Sequence, residues 1–447
     1  MDPIIIAVIA IIVFLGLMFL GMHVGLSLMV AGFLGYVLLF FSQWHDAGRA
    51  IKMAMSELNT ISYGTVSTFS MAVIPLFMLM GNFAMYSGIT AELFDTCYKW
   101  LGRYRGGLAF AAIGASSLFH CFCGSATATA ATIGTVSYPE MTRYGYKPTA
   151  SAGVIASSSA FGLLIPPSIG FIVYCTMTQT SVGDMFAAGI VPAIIVIGLA
   201  VITVVILARL NPDAMPSGKK FTILERLISL KGLIGFAILF ILVLGGIFSG
   251  FFSPSEGGAI GAVGSFVIMI VRRKASFANI WNSLKDSIKT TVMIFIVMIG
   301  ANIFGTCLAM TQMPGRLASS LSSADMSPYA VLWIVIAVYI VLGMAIDTLP
   351  LIAILTPIFW PLVLAMNWNP LWFGILMVMC MLMGLISPPD GIPCYIMSSI
   401  AKIPLMSVFK ASLPYLIMLA LSMVLFVYVE PLSTWLPDVL KAMRMAG

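Results

Sequence analysis

The residues best placed to do chemistry are oxygen-bearing side chains at interruptions of two long apolar segments, 107–142 and 329–366. Each segment is too long for a single membrane crossing and carries small or polar residues near its middle. Hard cations prefer oxygen ligands, and an acid inside a membrane segment marks a functional site because its burial is costly. We therefore predict a Na⁺ site at these breaks, with helix capping as the alternative role. Its predicted ligands are Ser125, Thr127 and Thr129 in the first segment and Asp347 and Thr348 in the second.

Double prolines interrupt two further apolar segments, about 148–178 and 370–398. Proline removes a backbone donor and clashes with the preceding turn, so both helices should break within the membrane and leave free backbone groups. Amides at a helix N-terminus suit an organic anion, and carbonyls at a C-terminus suit Na⁺. Around these breaks we predict Ser159, Pro166 and Ser387 as further sodium ligands. The predicted substrate-binding residues are Ser168 and Asp390 at these breaks, Gly124 at the first hairpin tip and His120 just before that tip.

Several polar side chains have a structural alternative. Asp390 can equally cap the half-helix that follows it, and a structural role is favoured for His120. Asn82 and Asn302 occupy similar places in the two halves of the chain, where hydrogen bonding between helices is favoured over cavity lining. Glu256 stands at the entrance to a span and is predicted to be a helix cap.

Composition places these breaks in a membrane protein. The 447 residues are 61% hydrophobic and 9% charged, whereas soluble domains carry about 25% charged residues. A soluble enzyme, a nucleic-acid-binding protein and a disordered scaffold are therefore excluded. The seven Cys have neither metal nor disulfide spacing, and no cleavable signal peptide is expected. The candidate membrane spans are 4–21, 24–42, 61–86, 191–208, 232–252, 256–271, 290–310 and 412–429.

An internal repeat relates the two sets of breaks. A shift of 222 residues places all five prolines of the window 124–192 on prolines of the second half. The same shift places Ser125 on Asp347, so the two hairpin breaks align. Paired interrupted segments in two halves are typical of a transporter binding site. Two unrelated proline-kinked helices would not share this ungapped register. The aligned prolines are Pro139, Pro148, Pro166, Pro167 and Pro192 with Pro361, Pro370, Pro388, Pro389 and Pro414.

The basic residues predict that the repeat is inverted. Five segments hold 17 of the 22 Lys and Arg, and positive-inside bias makes these segments cytoplasmic. The first hairpin then opens to the cytoplasm and the second to the outside, and both chain termini lie outside. The 43–57 loop is placed outside although it contains Arg49 and Lys52. The cytoplasmic segments are 99–105, 143–147, 209–231, 272–289 and 402–410.

Motifs for other chemistries are absent from the sequence. It contains no Gly-x-x-x-x-Gly-Lys-Ser/Thr for ATP hydrolysis and no His-Glu-x-x-His for zinc. With three His in the chain, no Ser/His/Asp set is recognisable. A membrane-embedded enzyme is therefore a remote alternative. A channel is disfavoured because two asymmetric broken hairpins suit occlusion better than a continuous pore.

These motifs together resemble the large membrane subunit of tripartite ATP-independent periplasmic (TRAP) transporters over nearly the whole chain. The resemblance is carried by Gly124-Ser125-Ala126 with Ala131–Gly134, Gly162–Ser168, Pro254–Glu256, Asp347–Pro357 and Gly384–Pro389. It implies an all-α polytopic membrane protein with an inverted repeat, two re-entrant helical hairpins and two broken helices. These form a transport domain that moves as an elevator against a scaffold.

The resemblance also implies what the protein does and with which partners. It implies Na⁺-driven import of a small organic anion across the bacterial inner membrane, with no organic cofactor and no enzyme activity. A soluble periplasmic binding protein would deliver the substrate, and a small four-helix membrane subunit would complete the scaffold. A C4-dicarboxylate, a sugar acid and a small sulfonate all remain open as substrates. The alternative is a stand-alone Na⁺- or H⁺-coupled carboxylate carrier.

The sequence departs from the family pattern at three positions. Around the first tip the pattern resembles Ser-Gly-Ser-Ala-x-Ala-Asp, whereas this chain has Cys123 in place of the first serine and Thr129 in place of the carboxylate. A sodium site without that charge is expected to bind Na⁺ more weakly. After the second double proline the family commonly has an apolar residue, and this chain has Asp390.

The repeat and the resemblance together predict five chain regions. Two of them form the transport domain, and three contribute scaffold helices. The scaffold regions are 1–106, 191–328 and 405–447, and the transport-domain regions are 107–190 and 329–404.

Overall fold

The computed structural model describes residues 2–323 and 326–446. Within these ranges the chain is helical apart from turns, short loops and one isolated bridge between Arg105 and Ser217. The α-helices of the first half are α1 (Pro3–Phe19), α2 (Val24–Trp44), α3 (Ala47–Ser67), α4 (Val73–Tyr86), α5 (Ile89–Leu101), α6 (Gly107–Cys123), α7 (Ala126–Arg143), α8 (Pro148–Phe161), α9 (Ile169–Thr178) and α10 (Val182–Leu210). Those of the second half are α11 (Ile223–Phe248), α12 (Pro254–Val271), α13 (Phe277–Met310), α14 (Met313–Ser323), α15 (Pro328–Gly343), α16 (Thr348–Ala365), α17 (Pro370–Ile386), α18 (Ile392–Ala401), α19 (Leu405–Tyr428) and α20 (Pro431–Ala446).

Both predicted hairpins and both predicted broken helices are confirmed. The hairpins are α6–α7 and α15–α16, and each turns within a few residues. The broken helices are α8–α9 and α17–α18, which are separated at the two double prolines. In the first broken helix, α8 continues into a short 3₁₀ turn, Gly162–Leu164, and the helical structure ends before Pro166. The Pro166–Pro167 and Pro388–Pro389 peptide bonds are both cis.

The two halves interlock through these interrupted elements. The second arm of each hairpin packs against the second segment of the broken helix in the other half, α7 on α18 and α16 on α9. Tyr138 of α7 donates to the carbonyl of Ala401 at 3.3 Å, and Tyr174 of α9 donates to the carbonyl of Pro370 at 2.7 Å. The ring of Trp360, the repeat partner of Tyr138, packs edge-on against Tyr174. The two hairpins and the two broken helices, which the sequence repeat relates to one another, therefore pack together.

The first segments of the broken helices lie at the centre of this body. Every residue of α8 from Ser151 to Phe161 is buried, as is every residue of α17 from Trp372 to Ile386. Small residues permit this packing, since a Cβ on Gly153 would overlap the backbone of Ala411 at 2.8 Å. Backbone opened at membrane depth is tolerated only where protein or a wet cavity surrounds it. Pro166 and Pro167 are buried and meet this condition, whereas Pro388 and Pro389 are exposed.

The scaffold spans agree with the predicted ones except at two places. The predicted span 61–86 is interrupted, because α3 ends at Ser67 and a short 3₁₀ turn, Phe69–Ala72, precedes α4. The predicted 43–57 loop lies mostly inside α3, an amphipathic helix that begins at Ala47 and is largely exposed. Both predictions relied on apolar content alone. The end of α3 and all of α4 are apolar and were therefore assigned to one span, and the first part of α3 was assigned to a loop because its amphipathic period was not considered.

The predicted cytoplasmic segment 272–289 lies mostly within a helix, and its side of the membrane stays a prediction. Helix α13 begins at Phe277 and runs for 34 residues, about 50 Å at 1.5 Å per residue. Its charged first half, which includes Lys285 and Lys289, is therefore part of a long helix. Among the described residues, nine helical segments are long and apolar enough to cross a membrane. The division of the chain into scaffold and transport domain remains a prediction.

Candidate functional site

The tips of the two hairpins meet at one cavity of about 480 Å³. Gly124, Ser125 and Thr127 line it from the first tip, and Asp347 and Thr348 line it from the second. Leu163 and Ile169 beside the first break, and Leu385 beside the second, complete this wall. Five of the predicted site residues therefore face a common space.

The first tip is an uncharged helix N-terminus. Gly124 turns the chain in the left-handed region, with φ of 59°, which only glycine adopts at little cost. Ser125 then caps α7, and its Oγ accepts from the N–H of Ala128 at 3.3 Å. The Oγ1 of Thr127 lies 2.8 Å from the Oγ of Ser125. The tip thus offers hydroxyls together with the partial positive charge of the α7 N-terminus.

The second tip carries a carboxylate at the equivalent position. Asp347 caps α16, and its Oδ1 accepts from the N–H of Thr348 at 2.7 Å. Its side chain is exposed to the cavity. Ser125 and Asp347, which the repeat aligns, are therefore both N-caps, and the capping alternative is correct for both. One carboxylate oxygen makes the cap, and the residue lines the cavity.

Thr129 and Ser159 lie behind the first tip and do not line the cavity. Thr129 is fully buried, donates to the carbonyl of Ser125 at 2.8 Å and lies 3.0 Å from the Sγ of Cys123. Ser159 donates to the carbonyl of Ala156 at 2.7 Å. Both hydroxyl groups are therefore engaged by backbone carbonyls.

His120 contacts the first broken helix next to its break. Its Nδ1 donates to the carbonyl of Ser159 at 2.8 Å, and its ring packs on Gly162. Nε2 is buried and has no hydrogen-bond partner among the described residues. The predicted substrate-binding role of His120 therefore has no support from cavity lining, whereas the structural alternative has a hydrogen bond.

The remaining predicted residues stand at the two breaks, outside the cavity lining. Pro166 and Ser168 are buried, and the Oγ of Ser168 has no partner within the described residues. Ser387 donates to the carbonyl of Met383 at 2.6 Å. The N–H of Asp390 donates to the carbonyl of Met344 at 3.1 Å and so ties the second break to the second tip.

The opposite wall of the cavity comes from α4 and α13, and sequence reasoning largely missed it. Asn82 and Tyr86 of α4 bind α13: the Asn82 amide donates to Ser287 at 2.9 Å, and the Tyr86 hydroxyl donates to Asp286 at 2.7 Å. Asn82 also lines the cavity, together with Asp286 and Lys289. The favoured role of Asn82 in joining helices is thus present alongside the cavity role. Asn302 donates to Thr65 at 2.9 Å.

One sequence signal could have found this wall. Lys285, Asp286 and Lys289 follow one another at helical spacing directly before an apolar run, which also fits the exposed start of a long helix.

Glu256, predicted to be a helix cap, lies at the start of α12. It accepts from the backbone N–H and the hydroxyl of Ser253, so its predicted capping role is confirmed.

The cavity is electrostatically asymmetric. Its charged lining consists of two carboxylates, Asp286 and Asp347, and one ammonium, Lys289. The first tip is neutral and the second is negative, so a cation favours Asp347 and an anion favours the α7 N-terminus or Lys289. No group of three or more His, Cys, Asp and Glu that could hold a metal ion occurs in the described part of the chain. Oxygen ligation by single carboxylates, hydroxyls and backbone suits an alkali cation.

The sequence matches one family model from residue 11 to residue 432, described as the tripartite ATP-independent periplasmic transporter, DctM component. Among curated proteins, the chain is 33% identical over 394 residues to the C4-dicarboxylate TRAP transporter large permease protein DctM of Pseudomonas aeruginosa, covering 88% of this chain and 90% of that protein. It is 30% identical over 437 residues to the sialic acid TRAP transporter permease protein SiaT of Haemophilus influenzae, covering 97% of this chain and 68% of that protein.

A solved structure shares the fold. The Alcanivorax borkumensis YdaH transporter, whose topology is described as unusual, superposes with a TM-score of 0.66 at 16% sequence identity. The match covers 86% of this chain and 89% of that chain.

Proposed function

The chain belongs to the DctM component family of tripartite ATP-independent periplasmic transporters, and we propose that it is the large permease subunit of a Na⁺-coupled importer of small organic anions. The observation that carries this proposal is the single cavity lined by both hairpin tips. An alternating-access carrier needs its coupling ion and its substrate close together near the middle of the membrane.

In this proposal Na⁺ binds beside Asp347. The carboxylate accepts from the N–H of Thr348, and Asp347 and Thr348 both line the cavity. Ser125 and Thr127 supply hydroxyl oxygens at the first tip. When bound, Na⁺ would neutralise charge in a cavity that has an excess of one carboxylate over its single ammonium. The anion is then attracted more strongly, which couples the two ligands.

The α7 N-terminus supports anion binding on the neutral side of the cavity. Ala126 and Thr127 of the first turn line the cavity, and the first N–H groups of a helix lack partners within it. These groups are orphan donors that a carboxylate or sulfonate can satisfy. Two of the relatives are named for a C4-dicarboxylate and for sialic acid, and both substrates are organic acids.

The movement in this proposal is that of an elevator. The interlocked hairpins and broken helices form the moving body, and α13 with α2, α3 and α4 forms the fixed wall. A periplasmic binding protein delivers the anion, and a small membrane subunit widens the scaffold in the bacterial inner membrane. The family membership supports these partners, because the family is that of tripartite periplasmic transporters.

The proposal is tested by uptake into proteoliposomes that contain the complete complex. Asp347→Asn removes the charge and keeps a good helix cap, and Ser125→Ala removes a hydroxyl that lines the cavity. Each is expected to abolish Na⁺-driven uptake of the anion carried by the binding protein, while the complex still assembles. Asp46→Asn, at the exposed cap of α3, is the matched control and should transport normally.

Two outcomes would contradict the proposal. Unchanged uptake by both cavity variants would remove the two tips from the mechanism. Uptake by this chain alone, without a binding protein, would favour the stand-alone carboxylate carrier.

A further inference from the structure

Lys289 is the only cationic side chain among the described residues that line the cavity. It belongs to α13, on the wall that faces both hairpin tips. The side chain is exposed, and it makes no ion pair or hydrogen bond within the described ranges. An ammonium that faces a shared cavity without a partner is available to a ligand.

The nearest acid along the helix is already engaged. Asp286, three residues before Lys289, accepts from the Tyr86 hydroxyl at 2.7 Å. Residues three apart on a helix are neighbours, yet Asp286 and Lys289 form no salt bridge. The hydrogen bond from Tyr86 holds the carboxylate toward α4 and leaves the ammonium of Lys289 unpaired.

The opposite wall determines which ligand Lys289 can meet. Asp347 makes the second tip negative, so an organic anion is repelled there unless a cation is bound. The first tip is neutral and presents the α7 N-terminus. An anion between the two walls is therefore stabilised from the α7 side by amides and from the α13 side by one ammonium.

We propose that Lys289 pairs with the acid group of the transported anion and thereby determines the preference of the cavity for anions over neutral molecules. This inference rests on the proposed transport function. Helix α13 packs on α2, α3 and α4 and also on α16 of the second hairpin. Close to Lys289, hydrogen bonds of Asp286 and Ser287 join α13 to α4. Lys289 therefore lies on the wall assigned to the scaffold, and the anion is held between a fixed cation and the hairpin tips.

The test is anion binding by the purified complex, followed as thermal stabilisation in NaCl. The probes are succinate, N-acetylneuraminate and isethionate, which carry a carboxylate or sulfonate on three different skeletons. Lys289→Gln should weaken binding of every probe that binds the wild type by about tenfold or more, the range of a hydrogen bond to a charged group. Lys289→Arg should retain binding, and the midpoint without anion should not move, because Lys289 is exposed and unpaired.

Lys285→Gln is the matched control, since Lys285 is an exposed lysine one turn earlier on α13 and lies outside the cavity lining. Its variant should bind the probes like the wild type. Equal binding by Lys289→Gln and the wild type would overturn the inference while leaving the transport function intact. If none of the probes stabilised the wild type, the proposed anion site itself would be refuted, and the role of Lys289 would be refuted with it.

Discussion

Single residues at the first tip determine how strongly it can hold a cation. The family pattern has a carboxylate where this chain has Thr129, and that hydroxyl donates to the carbonyl of Ser125 at 2.8 Å. A hydroxyl contributes no charge, so in the proposed function Na⁺ at this tip would rely on neutral oxygens. Among the described residues, the acid that lines the cavity at a tip is Asp347, and the proposal therefore concentrates cation binding on the second tip.

Thr129→Asp should make the stability of the protein depend on Na⁺. The new carboxylate would lie fully buried against the Ser125 carbonyl, and an unpaired buried charge costs several kcal/mol. The variant should unfold at a lower temperature than the wild type in choline chloride and recover in NaCl, because Na⁺ can bridge both oxygens. Thr135→Asp, at an exposed position of the same helix, should show no such recovery. Equal midpoints of Thr129→Asp in the two salts would contradict a cation position at this tip.

Sequence reasoning found residues whose neighbours along the chain identify them. Ser125 and Asp347 precede apolar helices after a break, so their position as caps could be predicted from local spacing. The local spacing of Lys285, Asp286 and Lys289 indicates a charged start of a helix, but it does not place Lys289 at a cavity, because that position depends on α4 and on the two tips, which are distant in sequence. The burial of Thr129 and Ser159 behind the tip is likewise a product of packing between helices.

At the scale of elements, the inverted repeat explains why two tips share one cavity. Each hairpin packs its second arm on the broken helix of the other half, α7 on α18 and α16 on α9. The prolines predicted the breaks and their alignment, but which helix packs on which became evident only in the folded structure. The starts of α3 and α13 were not predictable from apolar runs, since amphipathic and charged turns extend both helices beyond their apolar parts.

The inverted arrangement predicts that the hairpins open to opposite sides of the membrane. Arg143 and Ala365 are repeat partners, both exposed and both the last residue of a second hairpin arm. In a chain without its native cysteines, Ala365→Cys should react with an impermeant maleimide added to intact cells. Arg143→Cys should react only after permeabilisation. Reaction of both positions from the same side would show that the halves are not inverted.

For the whole molecule, the proposed function couples two ligands by charge. The cavity lining has one ammonium and two carboxylates, so a bound Na⁺ would offset the excess negative charge and reduce the repulsion that an anion meets there. Coupling between two sites is reciprocal, and a tenfold effect corresponds to about 1.4 kcal/mol. The composition predicted a membrane protein, and the repeat predicted paired breaks. The distribution of charge across the cavity required the folded structure, because its three ionisable groups come from two helices that the sequence does not link.

The most direct measurement of this coupling is the affinity of the purified complex for succinate, N-acetylneuraminate and isethionate in NaCl and in KCl. We expect the wild type to bind at least one of them about tenfold or more tightly in NaCl, and Asp347→Asn to lose that difference. Equal affinity in the two salts for the wild type, or an undiminished sodium effect in Asp347→Asn, would contradict the claim that the two hairpin tips hold cation and anion together.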